Sequence, residues 1–97
     1  MPSARARSAW RRSSSHPASG ALRLRYSLPV AGPASLRVFD LGGRAVRTLV
    51  AGSAGAGAHL MEWDGRDDRG ALLPSGTYFA RLTAAGATVA RTLVRTR

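Results

Sequence analysis

Alternation of apolar and polar residues, interrupted by turn-forming residues, restricts the fold of this chain more than any other feature. The segment 22–28, LRLRYSL, places its leucines and tyrosine on one side of an extended chain and its arginines and serine on the other. Pro29 ends this segment because proline has no amide hydrogen to donate to a sheet. The pattern predicts a half-buried β-strand.

The next segment repeats the pattern and leads into a tight turn. Leu36 and Val38 lie on one side of residues 35–39, which predicts a second strand with an apolar inner side. Residues 40–43, DLGG, predict a hairpin turn, since paired glycines adopt the positive φ that tight connections need.

The third strand, residues 44–50, departs from strict alternation because Val46 and Leu49 are three positions apart. This spacing predicts a β-bulge or an early strand end near Thr48. Residues 51–57 contain only glycine, alanine and serine, and this composition predicts a loop with little to order it.

Three further strands complete the pattern. Their apolar sides consist of His59, Met61 and Trp63 in the fourth strand and of Tyr78, Ala80 and Leu82 in the fifth. The last strand, residues 87–96, mixes arginines with apolar residues on one side, which predicts a charged edge strand.

Six or seven short strands, separated by turns and without an amphipathic helix, predict an all-β sandwich or small barrel of antiparallel strands. A chain of 97 residues suffices for one domain with a single thin core. An active-site cleft would have to come from the loops of that one domain. Length and pattern therefore favour a binding or structural module over an enzyme.

Residues 1–19 differ in composition from the rest of the chain. They are rich in Ser, Arg and Ala, contain no acid and show neither period 2 nor period 3.6. We interpret residues 1–19 as a disordered linker or extension and residues 20–97 as the folded domain. The same composition is also typical of an organellar transit peptide, which is a second interpretation of residues 1–19.

The formal net charge of +10 suggests nucleic acid as a partner. However, four arginines belong to the linker, and only Phe79 beside Arg81 gives an interleaved aromatic and arginine. The arginines spread over at least five predicted strands are Arg23, Arg25, Arg37, Arg47, Arg81 and Arg91. Solvated strand faces explain this distribution better, so nucleic-acid binding is the less favoured hypothesis.

Cysteine is absent, which excludes disulfides and thiolate metal sites. No apolar run reaches the roughly 20 residues of a spanning helix, and the N-terminus lacks the apolar core of a signal peptide. We expect no transmembrane segment, and for a secreted protein we expect the signal upstream in a parent chain.

The acidic loop 64–70, DGRDDRG, is the one cluster with ligand character, because Ca²⁺ prefers several hard oxygens from one flexible turn. Asp64, Asp67 and Asp68 are its weak candidate ligands. The loop lacks the D-x-D-x-D-G order and a distal Glu, and its two arginines can neutralise the carboxylates. Asp and Gly also form turns through Asx-type hydrogen bonds, so a structural loop is the favoured interpretation.

Two catalytic hypotheses are weaker still. A Ser-His-Asp arrangement would depend on His59, because the other histidine, His16, lies in the linker. Glu62 and Asp64 flank Trp63, and on a strand this spacing places both carboxylates on one face, as in a glycosidase. A strand histidine is more often packed, and that acidic face should be solvated. We predict no catalytic residue, no cofactor and no small-molecule substrate.

The order of these motifs resembles the Ig-like domain of the flagellar hook-capping protein, which is reused at the C-termini of bacterial secreted proteins. The resemblance covers about residues 15–97 and rests on residues 24–50, on HLMEWDGRDDRG at 59–70 and on PSGTYFARL at 74–82. It implies an immunoglobulin-like (fibronectin III-like) β-sandwich of six to seven antiparallel strands. The structural residues that it implies are Trp63 and Tyr78 in the core, Asp64, Gly65, Asp67 and Gly70 in the shaped loop, and Gly76 in the turn before the tyrosine strand.

The C-terminal sorting domains of type IX secretion substrates are a related family to which the chain is also similar. That family begins with an N-P-F-N-P-like segment, of which residues 16–20, HPASG, keep one proline. Its G-x-Y motif is present at residues 76–78. Its basic tail is present as Arg91, Arg95 and Arg97, with Arg where Lys is usual.

The two resemblances imply a non-catalytic accessory module at the C-terminus of a larger secreted or cell-surface bacterial protein, serving as spacer, anchor or protein-contact domain. Its partners are then other domains of the parent protein or a secretion or cell-surface apparatus. The alternative function is a sorting domain recognised by a type IX-like secretion system. The lesser alternative is a basic nucleic-acid-binding protein.

Overall fold

A computed structural model of the chain describes residues 9–11 and 21–96. These residues form seven strands, and all the strand pairs are antiparallel. In chain order the strands are β1 (Ala9–Arg11), β2 (Leu22–Leu28), β3 (Gly32–Phe39), β4 (Ala45–Ala54), β5 (Gly57–Trp63), β6 (Gly76–Ala84) and β7 (Ala87–Arg95). The all-β prediction is therefore confirmed. Over the described residues we find no helix with the length and apolarity to cross a membrane.

The strands form two sheets that enclose one core. The first sheet has the order β1-β2-β5, and the second has the order β4-β3-β6-β7. The chain crosses between the sheets after β2, after β4 and after β5, whereas β3-β4 and β6-β7 are hairpins within the second sheet. This connectivity produces the predicted sandwich.

The core consists of the inward-facing residues of both sheets, as the alternation predicts. Leu24, Tyr26 and Leu28 of β2 are buried, and the polar residues between them face outward or lie at intermediate exposure. Each fully buried Leu or Val contributes roughly 1.5–3 kcal/mol relative to an exposed position. The other core residues are Ala34, Leu36, Val38, Trp63, Tyr78, Ala80, Leu82, Ala84 and Leu93.

The irregularity predicted in β4 is a bulge and not a strand end. Leu36 pairs with Val50 and Arg37 with Thr48, so Leu49 is an extra residue on β4, and a second register shift between Val38 and Phe39 leaves Val46 as another. The prediction of a loop at residues 51–57 is wrong, because β4 continues to Ala54 and β5 starts at Gly57. Small residues give no alternating signal, and here it is pairing with residues 32–35 of β3 that makes them a strand.

β7 is an edge strand, as predicted from its mixed pattern. Leu93 and Arg95 face inward and are buried, whereas Val94 faces outward and is 60% exposed. The alternation of β7 is therefore regular, but it places arginines at inward positions.

Part of the stretch interpreted as a linker forms a strand. In β1, Ala9 pairs with Ser27 and Arg11 with Arg25, which extends the first sheet by one short strand. Three residues are too few for any periodic pattern, so composition alone suggested disorder. Residues 1–8, 12–20 and 97 lie outside the described residues. The linker and transit-peptide interpretations of residues 1–19 stay predictions there, as does the domain boundary at residue 20.

The two ends of the sandwich differ in charge. Residues 27–36, 48–58 and 82–90 contain no Asp, Glu, Arg, His or Tyr. The pairs Leu28↔Gly57, Gly32↔Ala54 and Ala34↔Ala84 bring these stretches together at one end, which we call the uncharged pole. The opposite end, which we call the charged pole, contains the residue 40–44 turn, the loop 64–73 and Arg95.

Candidate functional site

Two aspartates build the same five-residue turn at the charged pole. Asp40 Oδ1 accepts hydrogen bonds from the amides of Gly42 and Arg44, at 2.9 and 3.0 Å. Asp67 Oδ1 accepts from the amides two and four residues later, both at 2.9 Å. In each turn the aspartate backbone also bonds the third and fourth residues that follow it. The fourth position of each turn is a glycine, at φ +88° in Gly43 and +90° in Gly70, values that L side chains disfavour.

Asp68 attaches the second turn to the edge of the four-stranded sheet. Its amide donates to Val46 O at 2.9 Å, and its Oδ1 accepts from Thr48 N at 3.0 Å. These bonds satisfy the edge of β4 beside its bulge, where a strand would otherwise present unpaired groups. A groove of about 310 Å³ separates the two turns and is lined by Arg44, Ala45, Val46, Asp67, Asp68 and Arg69.

Arg47 binds the start of the loop. Its Nη1 donates to Asp64 Oδ1 at 3.1 Å and to Arg66 O at 2.9 Å, and its Nε lies 3.8 Å from Asp68 Oδ1. Asp64 Oδ1 also accepts from the amide of Arg66 at 3.0 Å. The loop is thus ordered by one arginine from β4 and by its own carboxylates.

These bonds bear on the calcium hypothesis for Asp64, Asp67 and Asp68. Each of the three carboxylates already accepts at least one backbone amide hydrogen, and two of them also face Arg47. Among the described residues no group of three or more His, Cys, Asp or Glu side chains converges as a metal site would require. Asp64 and Asp68 thus take part in turn and ion-pair contacts and Asp67 in turn contacts, and the calcium hypothesis stays a prediction.

Trp63 and Tyr78 meet in the core beneath the loop. Their rings pack edge to face, with centroids 5.2 Å apart. Trp63 Nε1 donates to Arg66 O at 3.0 Å, and Tyr78 Oη donates to Pro74 O at 2.7 Å. The second bond is a tyrosine corner, a feature of immunoglobulin-like sandwiches. Gly76, at φ +148°, is the first residue of the strand that carries this tyrosine.

Gly65 leaves space for a buried arginine. Arg95 is only 6% exposed, and a Cβ on Gly65 would overlap its guanidinium, lying 2.7 Å from Nη2. Gly65 also has φ +82° and its carbonyl accepts from Leu73 N at 2.8 Å. The sequence identified Gly65 as a loop glycine but missed Arg95 as a buried residue. The sequence signal for its burial is that Arg95 lies two residues after Leu93, on the same side of the strand. Its charge pointed to an exposed position instead.

The histidine and the carboxylate pair considered for catalysis have structural contacts. His59 Nε2 lies 2.7 Å from Gly55 O, and its ring stacks on Tyr26 with centroids 5.2 Å apart. Burial raises the pKa of the Tyr26 phenol above its ordinary value of 10.0.

Glu62 and Asp64 do not share a face as the strand spacing predicts. β5 ends at Trp63, so Asp64 already belongs to the loop. Glu62 pairs with Arg23 of the first sheet at 3.3 Å, whereas Asp64 pairs with Arg47 of the second. A glycosidase arrangement would need both carboxylates directed at one bond.

Strand register brings two arginines and two phenylalanines together on the outer side of the four-stranded sheet. Arg37 of β3 lies directly opposite Arg81 of β6, and Phe39 lies opposite Phe79 two residues further. The Arg81 guanidinium carbon stacks 4.4 Å from the centroid of the Phe39 ring. We call these four residues the arginine–phenylalanine face. The sequence suggested dispersed arginines because the β3–β6 register cannot be read from local patterns.

The sandwich with its tyrosine corner defines an immunoglobulin-like module of the fibronectin III-like kind. Within this class, residues 12–88 match the family model described as the FlgD Ig-like domain. The chain therefore belongs to the FlgD Ig-like domain family.

Two relatives and one solved structure show how far the similarity extends. The chain is 43% identical over 47 residues to the basal-body rod modification proteins FlgD of Salmonella typhimurium and Salmonella typhi. That alignment covers 48% of this chain and 20% of each relative, so the chain matches about a fifth of their length. The structure of FlgD from P. aeruginosa matches with a TM-score of 0.60 at 28% identity, over 81% of this chain and 63% of that one. The similarity to type IX sorting domains stays a prediction.

Proposed function

We propose that this domain is a non-catalytic contact module of a larger hook-capping-type protein that acts at the cell surface. Family membership supports the proposal, because the matched relatives are named basal-body rod modification proteins. Since the alignment covers a fifth of those relatives, the rest of such a parent protein is the first partner of this module.

The arginine–phenylalanine face is the observation that carries the contact role. Like charges directly opposite each other, as in Arg37 and Arg81, destabilise a sheet. Phe39 and Phe79 keep part of their surface in water. Arginine and aromatic residues are the types enriched at protein interfaces and at their energetic centres. A partner that covers the phenylalanines and places acidic groups against the two arginines offsets both costs.

A non-catalytic role is supported by what the reactive side chains do. His59 stacks on Tyr26, Glu62 pairs with Arg23, and the loop aspartates accept backbone amides. General acid–base chemistry needs a group in reach of a bound substrate with its proton available. In the described residues the candidate groups have structural contacts instead.

The sorting alternative receives less support from the geometry. Tyr78 of the G-x-Y motif is a core residue with its hydroxyl bonded to Pro74, and Arg95 of the basic tail is buried. An export machine recognises exposed groups, and these two are turned inward.

A chimera tests the contact role. Residues 21–96 replace the Ig-like domain of Salmonella typhimurium FlgD, and hooks are counted by electron microscopy in cells that lack their own FlgD. We expect hooks from the chimera and a large loss for Arg37→Glu/Arg81→Glu. Removing such an interface centre costs about 2 kcal/mol, or a roughly 30-fold weaker contact.

The matched control is Arg25→Glu/Arg69→Glu, which makes the same charge change at exposed positions outside the face. This control should form hooks at the level of the unmodified chimera. Each protein is first shown to fold by circular dichroism. A folded chimera that forms no hooks contradicts the hook-capping-type role, and equal hook counts for the two double variants contradict the role of the face.

Nucleic-acid binding is the second candidate, because the same face combines arginines with stacking-capable rings. Fluorescence anisotropy of a labelled single-stranded oligonucleotide at physiological salt distinguishes the two. We expect no binding. Tight binding that Arg37→Glu/Arg81→Glu abolishes and the control retains would replace the protein-contact role by this one.

A further inference from the structure

Among the described residues, the Arg95 side chain is a buried cation without an ion-pair partner. Arg95 is the last residue of β7, opposite Gly76 of β6, and it is more than nine-tenths buried. Its Nε is out of contact with water and has no hydrogen-bond acceptor among the described residues. Buried charges are normally paired, since an unpaired one loses its hydration without compensation.

The chain's own side-chain carboxylates are engaged elsewhere. Asp40 and Asp67 close their own turns, and Glu62 pairs with Arg23. Asp64 and Asp68 bind Arg47 and backbone amides. The sequence contains only these five acids. No side chain of the module is therefore left to neutralise Arg95.

Arg95 borders a cavity that opens to solvent beside the loop. The cavity has a volume of about 370 Å³ and is lined by Leu72, Leu73, Pro74, Ser75 and Arg95. Leu72 keeps 53% of its surface exposed at this site, although a leucine gains from burial. The lining thus combines one guanidinium that lacks an ion-pair partner with an apolar wall and one hydroxyl.

The architecture keeps this arginine in place. Gly65 provides the space that any larger residue would fill, and its carbonyl binds Leu73 of the cavity wall. Tyr78 holds the next wall residue through its bond to Pro74 O. The wall and the guanidinium are therefore positioned before any ligand arrives, which lowers the ordering cost of binding.

We propose that the cavity bounded by Arg95 and residues 72–75 is a binding site for a carboxylate that has an apolar group beside it, supplied by a partner polypeptide. A planar guanidinium matches a carboxylate through paired, charge-assisted hydrogen bonds. The apolar neighbour of that carboxylate packs on Leu72 and Pro74. The carboxylate is an Asp or Glu side chain or a chain terminus, and both share this chemistry. The site is separate from the arginine–phenylalanine face and does not depend on its role.

The test follows the Arg95 Nε–H signal by NMR in the full chain during titration with small probes. N-acetyl-leucine has a terminal carboxylate beside an apolar side chain, and N-acetyl-leucyl-aspartate α-amide has a free side-chain carboxylate with its terminus blocked. N-acetyl-leucinamide is the matched probe without a carboxylate. We expect saturable shifts of Arg95 Nε–H and of the Leu73 amide with one or both acids, and none with the amide. Whichever acid saturates first identifies the source of the carboxylate.

A variant gives a second, independent measurement. Arg95→Leu removes the uncompensated charge, so we expect a melting temperature equal to or above that of the unmodified chain, and no response to the acids. Arg25→Leu, at an exposed arginine, should respond to the acids as the unmodified chain does.

Equal shifts with the amide probe, saturation by inorganic sulfate at the same concentration as by the acids, or an Arg95→Leu variant that melts well below the unmodified chain would each overturn the proposal. The last result would mean that the guanidinium is already compensated within the fold.

Discussion

Trp63 is the largest side chain of the core that solvent does not reach, and it joins three parts of the molecule. It ends β5, packs edge to face on Tyr78 of β6, and donates its indole hydrogen to the loop at Arg66 O. Its removal would therefore leave a cavity, an aromatic neighbour without its partner and a carbonyl without this donor.

Replacing this tryptophan should be among the most damaging single changes. For Trp63→Ala we expect the free energy of unfolding to fall by about 3–5 kcal/mol, against a total of about 5–15 kcal/mol for a domain. Urea denaturation followed by circular dichroism measures the loss. Val94→Ala, at an exposed position of β7, should change stability by less than about 0.5 kcal/mol. A Trp63→Ala protein as stable as the Val94→Ala control would show that the core lies elsewhere.

At the scale of elements, the hairpin turn 40–44 and the loop turn 67–71 have the same hydrogen-bonding pattern. Each uses an aspartate to bind two later amides and a glycine at positive φ to reverse the chain. The first connects neighbouring strands, whereas the second is attached sideways to β4 through Asp68. The same local chemistry thus serves a hairpin and a crossing between sheets.

The two turns make the same hydrogen bonds, so removing either aspartate should lower the free energy of unfolding by the same amount. Asp40→Ala and Asp67→Ala should each lower the free energy of unfolding by about 1–2 kcal/mol, because each loses two exposed hydrogen bonds to a charged acceptor. Asp40→Asn and Asp67→Asn keep an oxygen acceptor and should lose less than the alanine variants. Parallel urea titrations compare all four. A clear inequality between the two alanine variants would show that the turns are not energetically equivalent.

How much the sequence predicts depends on how local the deciding interaction is. The alternation of β2, β3 and β6 predicted their buried residues, because each strand has one face on the core. Residues 51–54 were missed because small residues carry no pattern and only pairing with β3 makes them a strand. The opposition of Arg37 and Arg81 depends on the register of strands about forty residues apart. The burial of Arg95 was missed because an arginine is expected in water, even though Arg95 lies on the same side of β7 as Leu93.

At the scale of the whole molecule, one continuous core supports both sheets, so the module should resist proteolysis as a unit. We propose that trypsin leaves a stable fragment that begins at residue 13, because no arginine lies between Arg12 and Arg23, and that extends to about residue 95. Trypsin is a demanding probe, because eleven arginines lie at or beyond position 23. Mass spectrometry identifies the fragment, and a sample unfolded in urea before digestion is the control. Early cleavage throughout residues 21–95 of the native sample would contradict a single cooperative domain.

The uncharged pole has a physical consequence for the environments that the module can tolerate. Acidification, alkalinity or added salt changes protonation and ionic screening only where ionisable groups exist. For the contacts proposed at the arginine–phenylalanine face and at Arg95, we expect weaker binding as salt rises. A surface of alanine, glycine, proline and valine carries no charge that acid could neutralise or that ions could screen. Ionic screening therefore acts mainly at the charged pole, whereas the titratable side chain that contacts the uncharged pole is His59, whose Nε2 lies 2.7 Å from Gly55 O.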